Sequence, residues 1–144
     1  MILDLNALLR AGKTQESFFF EYKSDAEVTI PGVSVADPVK ITGEIFVRDR
    51  NSAEIEGEIT FTLVGDCTRC LTTTSKTFVV EFNEECGEDG AIPVTNGRID
   101  LSAFIDEIII INTPLTFLCK EDCKGLCPSC GANLNEEECK CNNK

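Results

Sequence analysis

The sequence predicts an α+β domain built mainly from an antiparallel β meander or a small open barrel, with two short helices and a C-terminal cysteine-rich zinc module. Three observations support this class: apolar and polar residues alternate over three consecutive runs, turn-forming residues separate the runs, and six of the nine cysteines lie within residues 119–141. We place the β-rich domain at residues 1–114 and the zinc module, packed on it, at residues 115–144.

The N-terminal part predicts a strand, a short helix and a second strand. Residues 1–12 fit a short strand followed by a helix that Gly12 ends, and the aromatic-rich residues 17–23 fit a strand. Prolines and glycine within residues 24–38 predict a segment that turns more than once.

Three longer strands are predicted to follow in series, joined by short connections. Such strands pair as an antiparallel meander with one face buried and the other, here rich in glutamate, in water. Gly43 interrupts the first run, which indicates a bulge or a close approach of another strand. The apolar positions of the three runs are Val39, Ile41, Ile45 and Val47, then Ile55, Ile59, Phe61 and Leu63, then Phe78, Val80 and Phe82.

A second helix is predicted to begin at Asp100, which has a side chain suited to the N-cap position. The β-branched residues 108–111 predict that this helix gives way to an extended segment before Pro114. Residues 84–98, rich in glycine and glutamate, predict a surface loop. The apolar face of the helix is predicted to comprise Leu101, Phe104, Ile105 and Ile108.

The charge and residue composition narrow the classes of function. The formal net charge is -12, so the chain repels a phosphate backbone and favours a basic protein partner. The absence of histidine excludes the commonest general base and mixed Cys/His zinc ligation. No glycine-rich phosphate loop and no Ser/His/Asp set is present, so we expect neither an enzyme nor a small-molecule substrate.

The expected location is the cytoplasm. No apolar stretch approaches the roughly 18 residues of a membrane span, and the N-terminus lacks the pattern of a signal peptide, so no membrane partner is expected. Clustered cysteines in that compartment are metal ligands or redox groups.

Eight of the nine cysteines form four close pairs. Two zinc ions with four thiolate ligands each need eight thiolates, so the count fits two sites. In one grouping that the spacing allows, Cys67/Cys70 faces Cys127/Cys130. In the other, the last four cysteines of the chain form a site of their own. The spacing alone does not distinguish the two groupings. Cys86 is expected to be a small buried hydrophobe. We expect structural zinc, as one or two ions, on Cys67, Cys70, Cys119, Cys123, Cys127, Cys130, Cys139 and Cys141.

Two other functions are open to the same residues. A Cys-x-x-Cys pair with a lowered pKa could serve a thiol redox protein, although neither pair follows a strand and opens a helix as in thioredoxin. A zinc module could also bind RNA directly, which the acidity of the chain disfavours. The candidate contacts for RNA or a partner are Arg48, Arg50 and Arg69, if the hairpin brings them to one end of the meander, together with Lys120, Lys124 and Lys140.

Three motifs carry a resemblance to a known family: GDCTRCL at residues 65–71, IDL at 99–101 followed by DEI at 106–108 and Pro114, and CKGLCPSCGANLN at 123–135 followed by two further cysteines. In these the chain resembles the YceD family of large ribosomal RNA subunit accumulation proteins. The resemblance implies a non-catalytic role in making or maintaining large-subunit ribosomal RNA. With the acidic surface, it implies a partner that is a basic ribosomal protein or a pre-ribosomal particle.

Overall fold

The computed structural model describes residues 1–136 and 138, and within them it confirms the predicted class. Antiparallel sheets dominate, with two short helices and a four-cysteine cluster toward the C-terminal part. No described helix is long and apolar enough to cross a membrane. The elements in chain order are β1 (Ile2–Asp4), α1 (Leu5–Arg10), β2 (Gln15–Tyr22), β3 (Ser34–Asp49), β4 (Ser52–Asp66), β5 (Thr73–Cys86), β6 (Arg98–Asp100) and α2 (Ser102–Asn112).

The main sheet is the predicted meander, with the strand order β2-β3-β4-β5 and antiparallel pairing throughout. Its register places apolar residues opposite one another: Ile45 pairs with Ile55, and Ile41 pairs with Ile59. Because side chains alternate between the faces of a strand, this register collects the apolar residues on one face. Those that are buried are Val39, Ile41, Ile45, Val47, Ala53, Ile55, Ile59, Phe61, Leu63 and Phe82.

β3 begins earlier than the sequence predicted, at Ser34 rather than near Val39. Its pairing with β4 shifts register between Ala36 and Lys40, and Pro38 lies inside this shift. Proline has no N–H to donate, so the ladder cannot run through it, but pairing resumes on both sides. Pro38 therefore lies at an irregularity within a strand, whereas Pro31 and Gly32 form a turn just before β3, as predicted.

Two glycines face each other at the middle of the sheet. Gly43 on β3 pairs with Gly57 on β4, and the edge strands contribute Phe18 opposite Gly43 and Phe82 opposite Gly57. A Cβ on Gly57 would lie 2.7 Å from the Gly43 Cα, so the two backbones meet closer than any side chain allows. This is the close approach that Gly43 predicted.

α2 is longer than predicted, which corrects the expectation of an extended segment at residues 108–111. The helix runs to Asn112, and the Thr113 hydroxyl donates to the Ile109 carbonyl at 2.7 Å. Ile105 and Ile109 are completely buried against the core, and this burial outweighs the modest preference of β-branched residues for extended backbone. At the other end, the Asp100 carboxylate accepts from the Ser102 N–H at 2.9 Å, although Leu101 occupies the N-cap position.

A second sheet of two strands was not predicted. β1 pairs antiparallel with β6, with Leu3 opposite Ile99, so the end of the predicted surface loop at residues 84–98 enters a strand at Arg98. Both Leu3 and Ile99 lie in the main core. This short pairing brings the N-terminus against the start of α2.

Candidate metal centre

The connection between β4 and β5 forms a tight turn that carries the first two cysteines. The Leu71 N–H donates to the Cys67 carbonyl at 2.9 Å, and the Cys67 N–H donates to the Thr72 carbonyl at 2.9 Å. Leu71 has a φ of 62°, the left-handed conformation that closes this turn. Both Cys67 and Cys70 are buried.

The segment after α2 brings the other two cysteines to the same place. Phe117 is fully buried, and its carbonyl accepts a hydrogen bond from the Thr68 N–H at 2.7 Å. This contact docks the segment onto the β4–β5 connection just before Cys119. Farther along, the Arg69 guanidinium donates to the Cys123 carbonyl at 2.9 Å.

The sulfur atoms of Cys67, Cys70, Cys119 and Cys123 all lie within 4.8 Å of one another; we call this set the four-cysteine centre. The distances from Cys67 Sγ to Cys123 Sγ and from Cys70 Sγ to Cys119 Sγ are both 3.6 Å. A tetrahedral zinc ion with Zn–S bonds of about 2.3 Å holds its sulfurs about 3.8 Å apart, whereas a disulfide joins sulfurs at about 2.05 Å. The donor set therefore fits a tetrahedral metal ion.

The thiols of the centre influence one another's ionisation. Burial opposes ionisation of Cys67, but hydrogen bonds from the backbone N–H groups of Cys70, Cys119 and Arg69 lower its pKa to about 6. Burial and the neighbouring thiols raise the pKa of Cys119 to about 12. A negative charge on one sulfur thus discourages a charge on the next, and a divalent cation among them removes this conflict.

Two polar side chains support the sulfurs, and the sequence interpretation missed both. The Thr72 hydroxyl lies 3.3 Å from Cys70 Sγ, and this contact is the main reason that the pKa of Cys70 is lowered. The Asn135 side-chain amide donates to Cys123 Sγ at 3.3 Å. Both residues lie among the cysteines in the sequence, and this proximity could have indicated that their side chains contact the sulfurs. Such outer hydrogen-bond partners orient metal ligands and tune their charge.

The structure joins Cys67/Cys70 to Cys119/Cys123, not to Cys127/Cys130. The fold therefore does not adopt the grouping in which Cys127/Cys130 faces Cys67/Cys70. Docking of Phe117 beside Thr68 places the next cysteines in the chain, Cys119 and Cys123, next to Cys67 and Cys70. Two further candidate ligands, Cys139 and Cys141, lie outside the described residues, as does Lys140.

Cys86 lies at the far end of β5 and is buried in the main core, as expected for a small hydrophobe. Burial, followed by the charges of Glu85 and Glu84, raises its pKa to about 12. It takes no part in the four-cysteine centre.

The β3–β4 hairpin does not bring Arg48, Arg50 and Arg69 to one end of the meander. Arg48 and Arg50 lie at the β3–β4 hairpin, whereas Arg69 lies in the β4–β5 connection, so the 15 residues of β4 separate them at about 3.3 Å per residue. Arg48 forms ion pairs with Glu85 at 2.6 Å and with Glu54 at 3.4 Å. Arg69 instead donates to the Cys123 carbonyl within the four-cysteine centre.

Comparison with known proteins identifies relatives that match part of this chain. An uncharacterized protein of Mycobacterium leprae (strain TN) is 32% identical over 91 residues, which cover 56% of this chain and 42% of that protein. The large ribosomal RNA subunit accumulation protein YCED homolog 1, chloroplastic, of Arabidopsis thaliana is 41% identical over 44 residues, covering 31% of this chain and 14% of that protein. Its namesake in Zea mays is 42% identical over 50 residues, covering 34% of this chain and 17% of that protein.

These matches span less than half the length of each of these relatives. No solved structure matches the chain. The family model described as large ribosomal RNA subunit accumulation protein YceD matches residues 55–144, which is more than half of the chain and includes all four cysteine pairs. The chain therefore belongs to the YceD family.

Proposed function

We propose that this chain supports the accumulation of large-subunit ribosomal RNA as a non-catalytic factor, binding a basic ribosomal protein or a pre-ribosomal particle. The observation that carries the proposal is the family match over residues 55–144, in a family named for this role. Two curated plant relatives carry the same description in their names. Two structural features give physical support to this role: the four-cysteine centre, and the acidic solvent face of the main sheet that is described below.

We further propose that the ion at the four-cysteine centre is structural zinc. Four cysteines and no histidine suit a soft ion of tetrahedral preference, and zinc is the usual occupant of such a site. Four protein ligands fill the coordination shell, which leaves no position for a substrate or an activated water. The zinc would therefore fasten the segment after α2 to the β4–β5 connection and perform no reaction.

The surface that fits a basic partner is a groove on the solvent face of the main sheet. It has a volume of about 570 Å³ and crosses β3, β4 and β5. Its acidic side chains are Glu44, Glu56, Glu58 and Glu81, and we call it the acidic groove.

The register places these glutamates directly opposite one another. Glu44 pairs with Glu56 across β3 and β4, and Glu58 pairs with Glu81 across β4 and β5. Like charges in such positions destabilise a sheet. Within residues 1–136, neither pair has a lysine or arginine in an ion pair.

A neighbouring pair shows what a cation does at such a position. Glu54 lies opposite Glu85 on the same face, and the Arg48 guanidinium bridges the two carboxylates. A partner that inserts lysine or arginine side chains into the acidic groove would do the same for the two pairs that lack a cation. The attraction would also be screened by salt.

The test is recovery of partners by the tagged full chain from a lysate, over a range of salt concentrations. We expect wild-type protein to recover ribosomal proteins or large-subunit precursors at low salt and to lose them as salt rises. The triple variant Glu56→Gln, Glu58→Gln, Glu81→Gln should lose this recovery, because it keeps the shape of the groove and removes three charges.

The matched control is Glu27→Gln, Glu88→Gln, Glu107→Gln, which changes the net charge equally at exposed sites outside the groove. It should bind like wild type. Equal losses in both variants would mean that only total charge matters, and recovery of no ribosomal component by wild-type protein would contradict the proposed function.

A further inference from the structure

β5 forms one edge of the main sheet, because it pairs with β4 on one side and with no other described strand. An edge strand leaves half of its backbone N–H and C=O groups outside the ladder, and an extended partner can pair with them. β5 has 14 residues, whereas β2, the opposite edge, has eight. The outer side of β5 is therefore the longer of the two candidate surfaces for strand pairing.

Hydrogen bonds at the two ends of β5 show which residues aim their backbone away from β4. At the start, the Cys67 N–H donates to the Thr72 carbonyl at 2.9 Å, on the β4 side. At the end, the Ile92 N–H donates to the Glu85 carbonyl at 3.4 Å, on the outer side. The register between β4 and β5 is unbroken, and alternate residues of an antiparallel strand bond to opposite sides. The outward groups therefore belong to the odd-numbered residues Thr73, Ser75, Thr77, Val79, Glu81, Asn83 and Glu85.

Most of this outer side is open, although the chain itself uses one end of it. Ile92 forms a parallel bridge with Cys86, so an extended segment can pair there. No backbone bond to the outer side of residues 73–83 occurs in the described part of the chain, and the odd-numbered residues among them are all exposed. Lys76, the one cation in β5, would repel a basic segment. The strip that suits a basic segment is residues 77–83, which we call the free edge.

The two faces of the free edge differ in chemistry. On the solvent face, Glu81 and Asn83 line the acidic groove, and Val79 is exposed next to them along the strand. On the core face, Phe78 and Val80 are only half-buried, so they retain apolar surface for a neighbour to cover. Residues directly opposite one another in antiparallel strands share a face. A segment that fits both faces therefore alternates basic and apolar residues.

We propose that the basic partner of the acidic groove binds by strand addition: an extended segment in which lysine or arginine alternates with apolar residues pairs with the free edge of β5. This inference rests on the proposed function, to which it adds the way the partner binds. Backbone bonds supply the affinity, and Glu81 supplies the preference for a cation. A second copy of the chain fits less well, because β5 has three glutamates against one lysine and two such strands repel.

The probe is an octapeptide in which lysine and valine alternate, added to the isotope-labelled full chain. Amide hydrogen exchange is followed by NMR with and without the peptide. The outward N–H groups of the free edge should exchange rapidly in the free protein and become protected when the peptide binds, whereas the outer N–H groups of β2 should not change. A peptide with glutamate in place of lysine is the control for charge and should not bind.

N-methylated peptides separate backbone pairing from charge. In antiparallel pairing, the peptide residues that bond to β5 lie on the solvent face and are the lysines, whereas in parallel pairing they lie on the core face and are the valines. Methylating the backbone nitrogens of the bonding set should weaken binding about tenfold or more, because it removes the donors that face β5. Methylating the other set should have little effect.

Val79→Pro makes the matching change in the protein, since it removes an outward N–H and leaves the pairing with β4 intact. Phe19→Pro is the matched control on the opposite edge: the Val47 N–H donates to the Thr14 carbonyl, so the odd-numbered Phe19 points its own N–H outward. Val79→Pro should lose peptide binding, and Phe19→Pro should bind like wild type. Circular dichroism checks that each variant is folded, and if either is not, the exchange and N-methylation results decide.

Four outcomes would overturn the proposal: no binding of the alternating peptide, protection of the free edge before peptide is added, protection of β2 instead, or equal effects of the two N-methylated sets. The proposed function would survive any of these if the full chain still recovered ribosomal components through the acidic groove. Conversely, strand addition by the peptide without recovery of any ribosomal component would contradict the proposed function alone.

Discussion

Replacing Arg69 by alanine should weaken metal binding at the four-cysteine centre. Its guanidinium donates to the Cys123 carbonyl at 2.9 Å and so ties the two halves of the centre together. A hydrogen bond from a charged donor contributes about 1.5–3 kcal/mol, and the exposure of Arg69 places this one near the lower limit. About 1.4 kcal/mol corresponds to a tenfold change in Kd, so we expect an affinity roughly tenfold lower.

The assay is competition for zinc with a chromophoric chelator at constant pH, with Arg69→Ala, Arg69→Lys and Arg50→Ala compared with wild type. Arg69→Lys should fall between the first variant and wild type, because a lysine keeps the charge but not the planar donor geometry. Arg50→Ala, at the opposite end of β4, is the control and should match wild type. Unchanged zinc affinity in Arg69→Ala would refute the reasoning. If that variant instead bound zinc normally but bound RNA less tightly than wild type, the result would point to direct RNA contact.

Three further changes test the fold and its pH response. Gly57→Ala should destabilise the protein by about 2–3 kcal/mol in urea unfolding, because its Cβ would overlap the Thr42 carbonyl oxygen. Gly12→Ala is the control: its Cβ would lie in open space, and its φ of 72° alone should cost only about 1–2 kcal/mol. Phe117→Ala should cost about 3–5 kcal/mol and hasten chelator-induced zinc release; normal release would show that docking of this residue does not hold the centre. Burial raises the Cys86 pKa from 9.0 to about 12, so the folded state holds the proton longer and stability should fall as pH rises across that interval. Cys86→Ala should remove this part of the pH dependence, and an unchanged slope would contradict it.

The meander could be predicted from the sequence because one face of the sheet is buried. Apolar and polar residues therefore alternate along β3, β4 and β5. Prediction failed where distant contacts decide the outcome. Ile109 remains helical because the core covers it. β1 pairs with β6 although the paired residues lie 94 to 98 positions apart in the chain. Short strands of this kind carry too few residues to show a pattern.

The four-cysteine centre was predictable in composition but not in arrangement. Cysteine spacing identified every member of the four-cysteine centre, because two sulfurs on one tight turn are a local feature. Which turn meets which segment depends on the docking of Phe117, and no local spacing records that contact. The separation of Arg69 from Arg48 likewise follows from the length of β4 and the positions of its two turns.

The long chain separation within the four-cysteine centre also affects how the protein matures. Cys67 and Cys123 are 56 residues apart, and closing a loop of that size in an unfolded chain costs about 4 kcal/mol in entropy. During synthesis the first two sulfurs emerge well before β5 and α2, which must both be made before the other two arrive. If the centre holds a metal ion, its full coordination therefore comes late in synthesis, after Cys123 has been made and its segment has met the β4–β5 connection.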